Sequence, residues 1–399
     1  MRNTLMKLGI LVLAILTLTG CWNRRELNEL MVASALGIDK HDNGYEVTVQ
    51  LINPAEIAAK QGGGVRAPVI ALKASEGKTV FESMRELTAT APRKIYLSHI
   101  RILVVGEELA RQGIAEILDI LSRDHEFRTD FYMMVAKDTT AREVLKILTP
   151  LDKIPSNKLF TSLETTEQSW GATARVDLHG VIFDLVSKGK DPALSAIRVI
   201  GNADTGESMA NLNFVQPPAI QQYNGVAVFR EDALAGWFNT AESKGYNYIL
   251  GNIRSTIESV ACPNGGYAGM EVIRTQHKVK GAVENGRPAI HVSLRVEGNI
   301  SEIACGIDLG NPRTVTWLET KVSGQIKDKM ESAVKKAKTY RADVFGFGNA
   351  LHRANPDFWR SIEQNWMDYF VDLPVQLEVK AELRRTGSVV ESFIEKWKE

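Results

Sequence analysis

Apolar and polar positions recur in two rhythms along this chain, and each rhythm predicts its own elements. The first apolar feature is an almost unbroken run from Leu8 to Leu18, closed by Leu18-Thr19-Gly20-Cys21. Strand-like runs follow at Met31–Ile38, Tyr45–Ile52, Ile100–Val105, Phe131–Val135 and Leu194–Ile200. Between them lie stretches of helical spacing at Thr79–Thr88, Leu109–Leu121, Ala141–Leu148 and Val176–Val186. His41-Asp42-Asn43-Gly44 separates the first two strands and is a hairpin signal. A β-α-β-α succession of this kind predicts a small layered sheet with helices packed on it.

The second half has a different order. Gly225–Phe229 reads as a strand, and Asp232–Phe238 with Ala241–Leu250 as a small helical region. Strands follow at Ser255–Ala261, Glu271–Val279 and Ile290–Val296, the last two joined through Glu284-Asn285-Gly286-Arg287. A long helix over Val315–Arg341 carries an apolar stripe at Val322, Ile326, Met330, Val334 and Ala337. A second helix opens at Pro356 with Phe358, Trp359, Ile362 and Trp366. Val375, Leu377, Val379, Ala381 and Leu383 alternate with polar residues, as in a strand returning to the same sheet. Asn, Gly and Pro cluster from Gly201 to Pro218 and mark a boundary. The expected organisation is a leader over 1–20, an N-terminal α/β domain over 21–200, a middle region over 201–254 and a C-terminal α+β domain over 255–399. The fold class is α+β: a mixed multi-domain body with small antiparallel and mixed sheets against helices.

Composition narrows the class of partner. Lys plus Arg equals Asp plus Glu at 48 each, so no global field draws the protein to nucleic acid. Hydrophobic residues at 44% suit a folded body rather than a disordered one. Arg2 and Lys7 ahead of the Leu8–Leu18 run describe a secretory leader, too short in its apolar part to span a bilayer. The Leu-Thr-Gly-Cys ending resembles the lipobox of bacterial lipoproteins, which implies acylation of Cys21 and cleavage before it. Of the remaining cysteines, Cys262 and Cys305 suit a disulfide outside the cytoplasm or, equally, two buried thiols.

No residue set assembles into a catalytic site. Asp124-His125-Glu126 with Asp130 has no second His at ligand spacing and reads as a polar helix end. Gln61-Gly62-Gly63-Gly64 lacks the Lys-Ser/Thr pair of a phosphate loop. Gly346-Phe347-Gly348 follows a helix rather than a strand, which argues against a dinucleotide fingerprint; two glycines turn the chain while Phe345 and Phe347 enter the core. Lys327, Lys329, Lys335, Lys336, Lys338 and Arg341 make a basic run on the long helix, read as a solvated face. No cofactor and no metal are expected.

Trp22–Asp39, Leu97–Gly106 with Glu107-Glu108-Leu109-Ala110-Arg111-Gln112-Gly113, Ala342-Asp343-Val344-Phe345-Gly346-Phe347-Gly348, and Val375–Arg385 with Thr386-Gly387 occur in that order. In these stretches the chain resembles the Ger(x)C family, the lipoprotein C-subunits of spore germinant receptors. The resemblance implies a lipid-anchored, non-catalytic subunit at the outer face of the spore inner membrane. Its partners would be two integral membrane receptor subunits, of A and B type. The alternative is a nutrient-binding lipoprotein, which requires a pocket lined by convergent polar groups.

Overall fold

The computed structural model describes residues 3, 4, 6, 7, 29–58, 67–263 and 265–385, with backbone alone for 73–76. Cys21 and most of the leader, Gln61–Gly64 and Thr386-Gly387 lie outside the described residues.

The first sheet is built of β1 (Leu30–His41), β2 (Gly44–Ile52), β3 (Val69–Gly77), β4 (Lys94–Tyr96), β5 (Ile102–Val105), β6 (Tyr132–Ala136), β7 (Ala193–Gly201), β8 (Ala219–Arg230) and β9 (Ala233–Phe238). Their order is β3-β2-β1-β5-β6-β7-β8-β9, with β4 beside the start of β1. The centre β1-β5-β6-β7 is parallel and the flanks are antiparallel. Parallel strands covered on both faces need apolar side chains on both, which is why β5 is an unbroken Ile-Leu-Val-Val run. Leu103 and Val105 join a core beneath helices Glu107–Gln112, Ala115–Arg123 and Leu178–Val186. Ile102 and Val104 face the other way, toward helices Ala141–Lys146 and Pro155–Ser169.

The second sheet, β10 (Thr256–Ala261), β11 (Tyr267–Glu284), β12 (Arg287–Ile303) and β13 (Val375–Arg385), packs on the long helix Pro312–Tyr340. The helix buries Leu318, Val322, Ile326, Met330, Ala333, Val334 and Ala337 along one stripe. Asn285 and Gly286 both have positive φ, 51° and 76°, the geometry of the tight hairpin their sequence signals. The two sheets are not separate in their cores: Ala193, Val226, Val228 and Phe238 of the first sheet share a cluster with Phe347, Trp359 and Trp366.

Several elements differ from the sequence reading. Asp232–Phe238, expected as helical, is mostly strand β9, whose alternating burial places Leu234, Gly236 and Phe238 inward against β8 and Tyr340. Leu109–Leu121 is two helices, because Gly113 adopts φ 130° and Ile114 N–H turns to the Asp232 carbonyl. Trp366 begins its own helix, Trp366–Asp372, instead of continuing Pro356–Ile362. The Gly201–Pro218 stretch connects β7 and β8, antiparallel neighbours in one sheet. β3 and helix Pro155–Ser169 carry no strong periodic signal and are additions to the expected elements.

Candidate functional site: the Asp343 junction and its groove

Where the long helix ends, Arg341 takes a left-handed conformation (φ 53°) and its N–H bonds back to the Ala337 and Lys338 carbonyls. The chain then enters the interior: Ala342, Asp343, Val344 and Phe347 have no exposed area. A charged side chain in that position must find donors, since an unpaired buried carboxylate is costly. Asp343 finds three. Its Oδ1 accepts from Phe347 N–H at 3.0 Å, and its Oδ2 accepts from Gly348 N–H at 2.8 Å and Trp366 Nε1–H at 3.0 Å. It thereby caps the helix Phe347–Ala354, at the end where the helix dipole favours negative charge.

The backbone of the same residue ties the two sheets together. Asp343 N–H donates to Asp191 Oδ2 at 2.7 Å, and the Asp343 carbonyl accepts from Asp191 N–H at 2.9 Å. Asp191 precedes β7, and its other oxygen accepts from Glu231 N–H at 2.8 Å in the β8–β9 turn. Two further bonds run in parallel: Asn349 N–H to the Gly189 carbonyl at 3.2 Å, and Ser187 Oγ–H to Asn349 Oδ1 at 3.0 Å. Burial pushes the Asp343 carboxyl up to about 7, against the pull of its donors, with Asp191 adding repulsion. Burial likewise raises Asp191 to about 6, against the two backbone N–H groups it accepts from.

The two glycines serve different ends. Gly346 sits at φ 71°, where L side chains are strained. Gly348 is not in that region; a Cβ there would lie 2.6 Å from Gly189 Cα and 2.7 Å from the Trp359 ring. Gly348 is small because two segments touch at it, which corrects the reading of both glycines as turn residues. Phe345 and Phe347 do enter the core, stacked at 4.9 Å.

Beside this junction runs an open groove of about 920 Å³ between helices Ala115–Arg123 and Leu178–Val186, the β8–β9 turn and residues 363–368. Three of its cations are paired: Lys188 with Glu363 at 2.9 Å and Arg341 with Asp368 at 2.6 Å, both within the lining, and Lys190 with Asp184 at 2.9 Å.

The other sequence candidates are scattered. Glu126 pairs with Lys94 and Asp130 with Arg128, and no cluster of three or more His, Cys, Asp or Glu suited to a metal occurs among the described residues. Cys262 and Cys305 are joined, their Cα atoms 6.4 Å apart. The basic run on the long helix is more than a solvated face. Lys329 pairs with the fully buried Glu258, which also accepts from Tyr248 Oη–H at 3.0 Å. Lys338 donates to the Leu373 carbonyl, and Lys336 lies over the Tyr340 ring. Asp191 and Trp366 Nε1 are partners that the sequence does not disclose, because they lie 152 and 23 positions from Asp343 and no local periodicity links them to it.

Two family models cover the chain: "Spore germination protein N-terminal domain" over residues 23–199 and "Spore germination B3/GerAC like, C-terminal" over 224–387. Spore germination protein KC of Bacillus subtilis (strain 168) is 33% identical, with 95% of each chain covered. Spore germination protein B3 of the same organism is 22% identical, covering 97% of this chain and 99% of its own. The crystal structure of the GerBC protein superposes with a TM-score of 0.56 over 88% of this chain and 96% of that one, at 17% identity, and so speaks to the fold alone. With identity of this extent along nearly the whole length, the chain belongs to the Ger(x)C family of spore germination proteins.

Proposed function

We propose that this protein is the non-catalytic C-subunit of a germinant receptor, held by acylated Cys21 at the outer face of the spore inner membrane and coupling two integral membrane subunits. The observation that carries the reading is the use made of the buried carboxylates. Asp343 and Asp191 spend their oxygens on backbone N–H groups and one indole, welding the two sheets. A subunit that transmits a signal between partners needs such a stiff body more than it needs a reactive centre. Cys21→Ala is expected to leave the body folded but unlipidated, with germination lost. Full receptor activity in that variant, together with an absence of acyl mass on the wild-type N-terminus, would overturn the anchor.

The groove beside Asp343 is the observation that favours a second reading, a nutrient-binding lipoprotein. Lys188, Lys190 and Arg341 are already paired there, so an amino acid or sugar that engaged them would have to displace existing ion pairs. The soluble body is therefore expected to bind such nutrients at millimolar Kd or weaker, about −4 kcal/mol at most. Saturable micromolar binding by calorimetry would make the groove a germinant site.

A further inference from the structure

The first sheet has an end that the chain itself marks. β1 starts at Leu30, in parallel register with Lys94 of β4, and β5 and β6 start at the same end. Eight residues separate Leu30 from Cys21, so the two Cα atoms lie at most about 30 Å apart. With Cys21 in the bilayer, an anchor that is part of the function proposed above, this end of the sheet stays close to the membrane.

The surface at that end has a distinct chemistry. Residues 90–101 contain Arg93, Lys94 and Arg101 and no Asp or Glu, in a protein whose total charge is zero. Arg93 has no ion-pair partner among the described residues, and Arg101 lies over the Phe160 ring. Of the carboxylates beside it, Glu126 pairs with Lys94, while Glu82 and Asp124 accept from the Lys78 and Glu126 N–H groups. Two aromatic rings stand exposed nearby, Tyr96 at 38% and Phe81 at 42%. Phe81 and Arg93 also line a groove of about 880 Å³ on this side.

We propose that this rim is a docking surface for the anionic phospholipid surface of the membrane that holds the anchor. Uncompensated arginines with amphipathic aromatic rings match the headgroup layer, where basic side chains gain from anionic lipid and aromatic rings settle at the interface. Docking there would fix the orientation of the protein on the membrane. The alternative occupant, a loop of a membrane subunit, lacks the argument from position that the eight-residue spacer gives the bilayer.

The test uses the full mature chain, lipidated, on vesicles of phosphatidylcholine with or without phosphatidylglycerol. Backbone amides of residues 90–101 are expected to gain hydrogen-exchange protection on the anionic vesicles alone, and to lose it at high salt. Arg93→Glu, at an exposed position without a partner, and Arg93→Glu with Arg101→Glu should abolish the protection while the melting curve is unchanged. The unlipidated Cys21→Ser chain separates the two readings. Its affinity for anionic vesicles should fall at least about tenfold in the double variant, whether or not Cys21 is acylated in the cell. Equal protection on both vesicle types, or none, overturns the proposal. Protection that appears only once the membrane subunits are present overturns it in favour of a protein partner.

Discussion

Asp343→Ala is expected to cost about 3 kcal/mol of folding free energy near pH 4, because it strands three buried donors at once. Those donors are Phe347 N–H, Gly348 N–H and Trp366 Nε1–H, and the interior around them offers no water in exchange. The effect should shrink as pH rises, and the sign follows from proton linkage. The Asp343 carboxyl is raised in the fold from 3.8 to about 7. Its folded form therefore holds a proton more firmly than the unfolded form, and the stability this contributes is complete below 3.8. It is lost progressively up to about 7, a decline of about 4 kcal/mol in the wild type. Asp191, raised to about 6, adds to the decline over a narrower window. Asp343→Asn keeps the size and does not titrate, so the gap between wild type and this variant should narrow from near pH 4 to near pH 8. Denaturant titrations at the two pH values decide it. A gap that stays constant would mean that Asp343 is ionised throughout and acts as a permanent charged cap.

The second large effect belongs to Phe347, whose ring has no exposed area and lies between Phe345 and Phe370. Phe347→Ala should destabilise the protein by about 3–5 kcal/mol through the cavity it leaves. Gly348→Val works by the opposite route. Its added carbons meet Gly189 Cα and the Trp359 ring, so the junction must part, at about 1–3 kcal/mol or more. Both variants should lose germination function through scarcity of folded protein. Thermal melts of the purified variants check this directly. Midpoints equal to wild type, combined with failure to assemble with the membrane subunits proposed above, would make Phe345–Gly348 a docking loop instead.

What the sequence disclosed and what it hid divide along a physical line. Elements that report on themselves were legible: the stripe of the long helix, the apolar run of β5, the Asn285-Gly286 hairpin and the alternation in β13. Each is fixed by side chains a few positions apart. The candidate site is fixed by contacts between distant segments, and those leave no local pattern. Asp343 reads as an ordinary acidic residue until Asp191 and Trp366 come to meet it. Gly348 carries no turn signature of its own, since its constraint is the approach of Gly189. β9 was misread for a related reason: Ala-Leu-Ala-Gly-Trp-Phe has little intrinsic strand preference, and pairing with β8 together with the Tyr340 ring decides its conformation.

The hairpin connection between β7 and β8 bears on how this protein can be cut, or joined to others, during evolution. β7 is bonded to β6 on one side and to β8 on the other, so a chain ending near residue 200 would leave a nine-residue row of backbone donors and acceptors open to water. Such a row recruits another strand, usually from a second copy, and the product is an aggregate. Recombination that exchanged the two halves at that position would meet the same obstacle, and would break the Asp191–Asp343 bonds as well. A crossover after β9 keeps the first sheet whole, and the Asp191–Asp343 bonds then require that the two parents match across the junction.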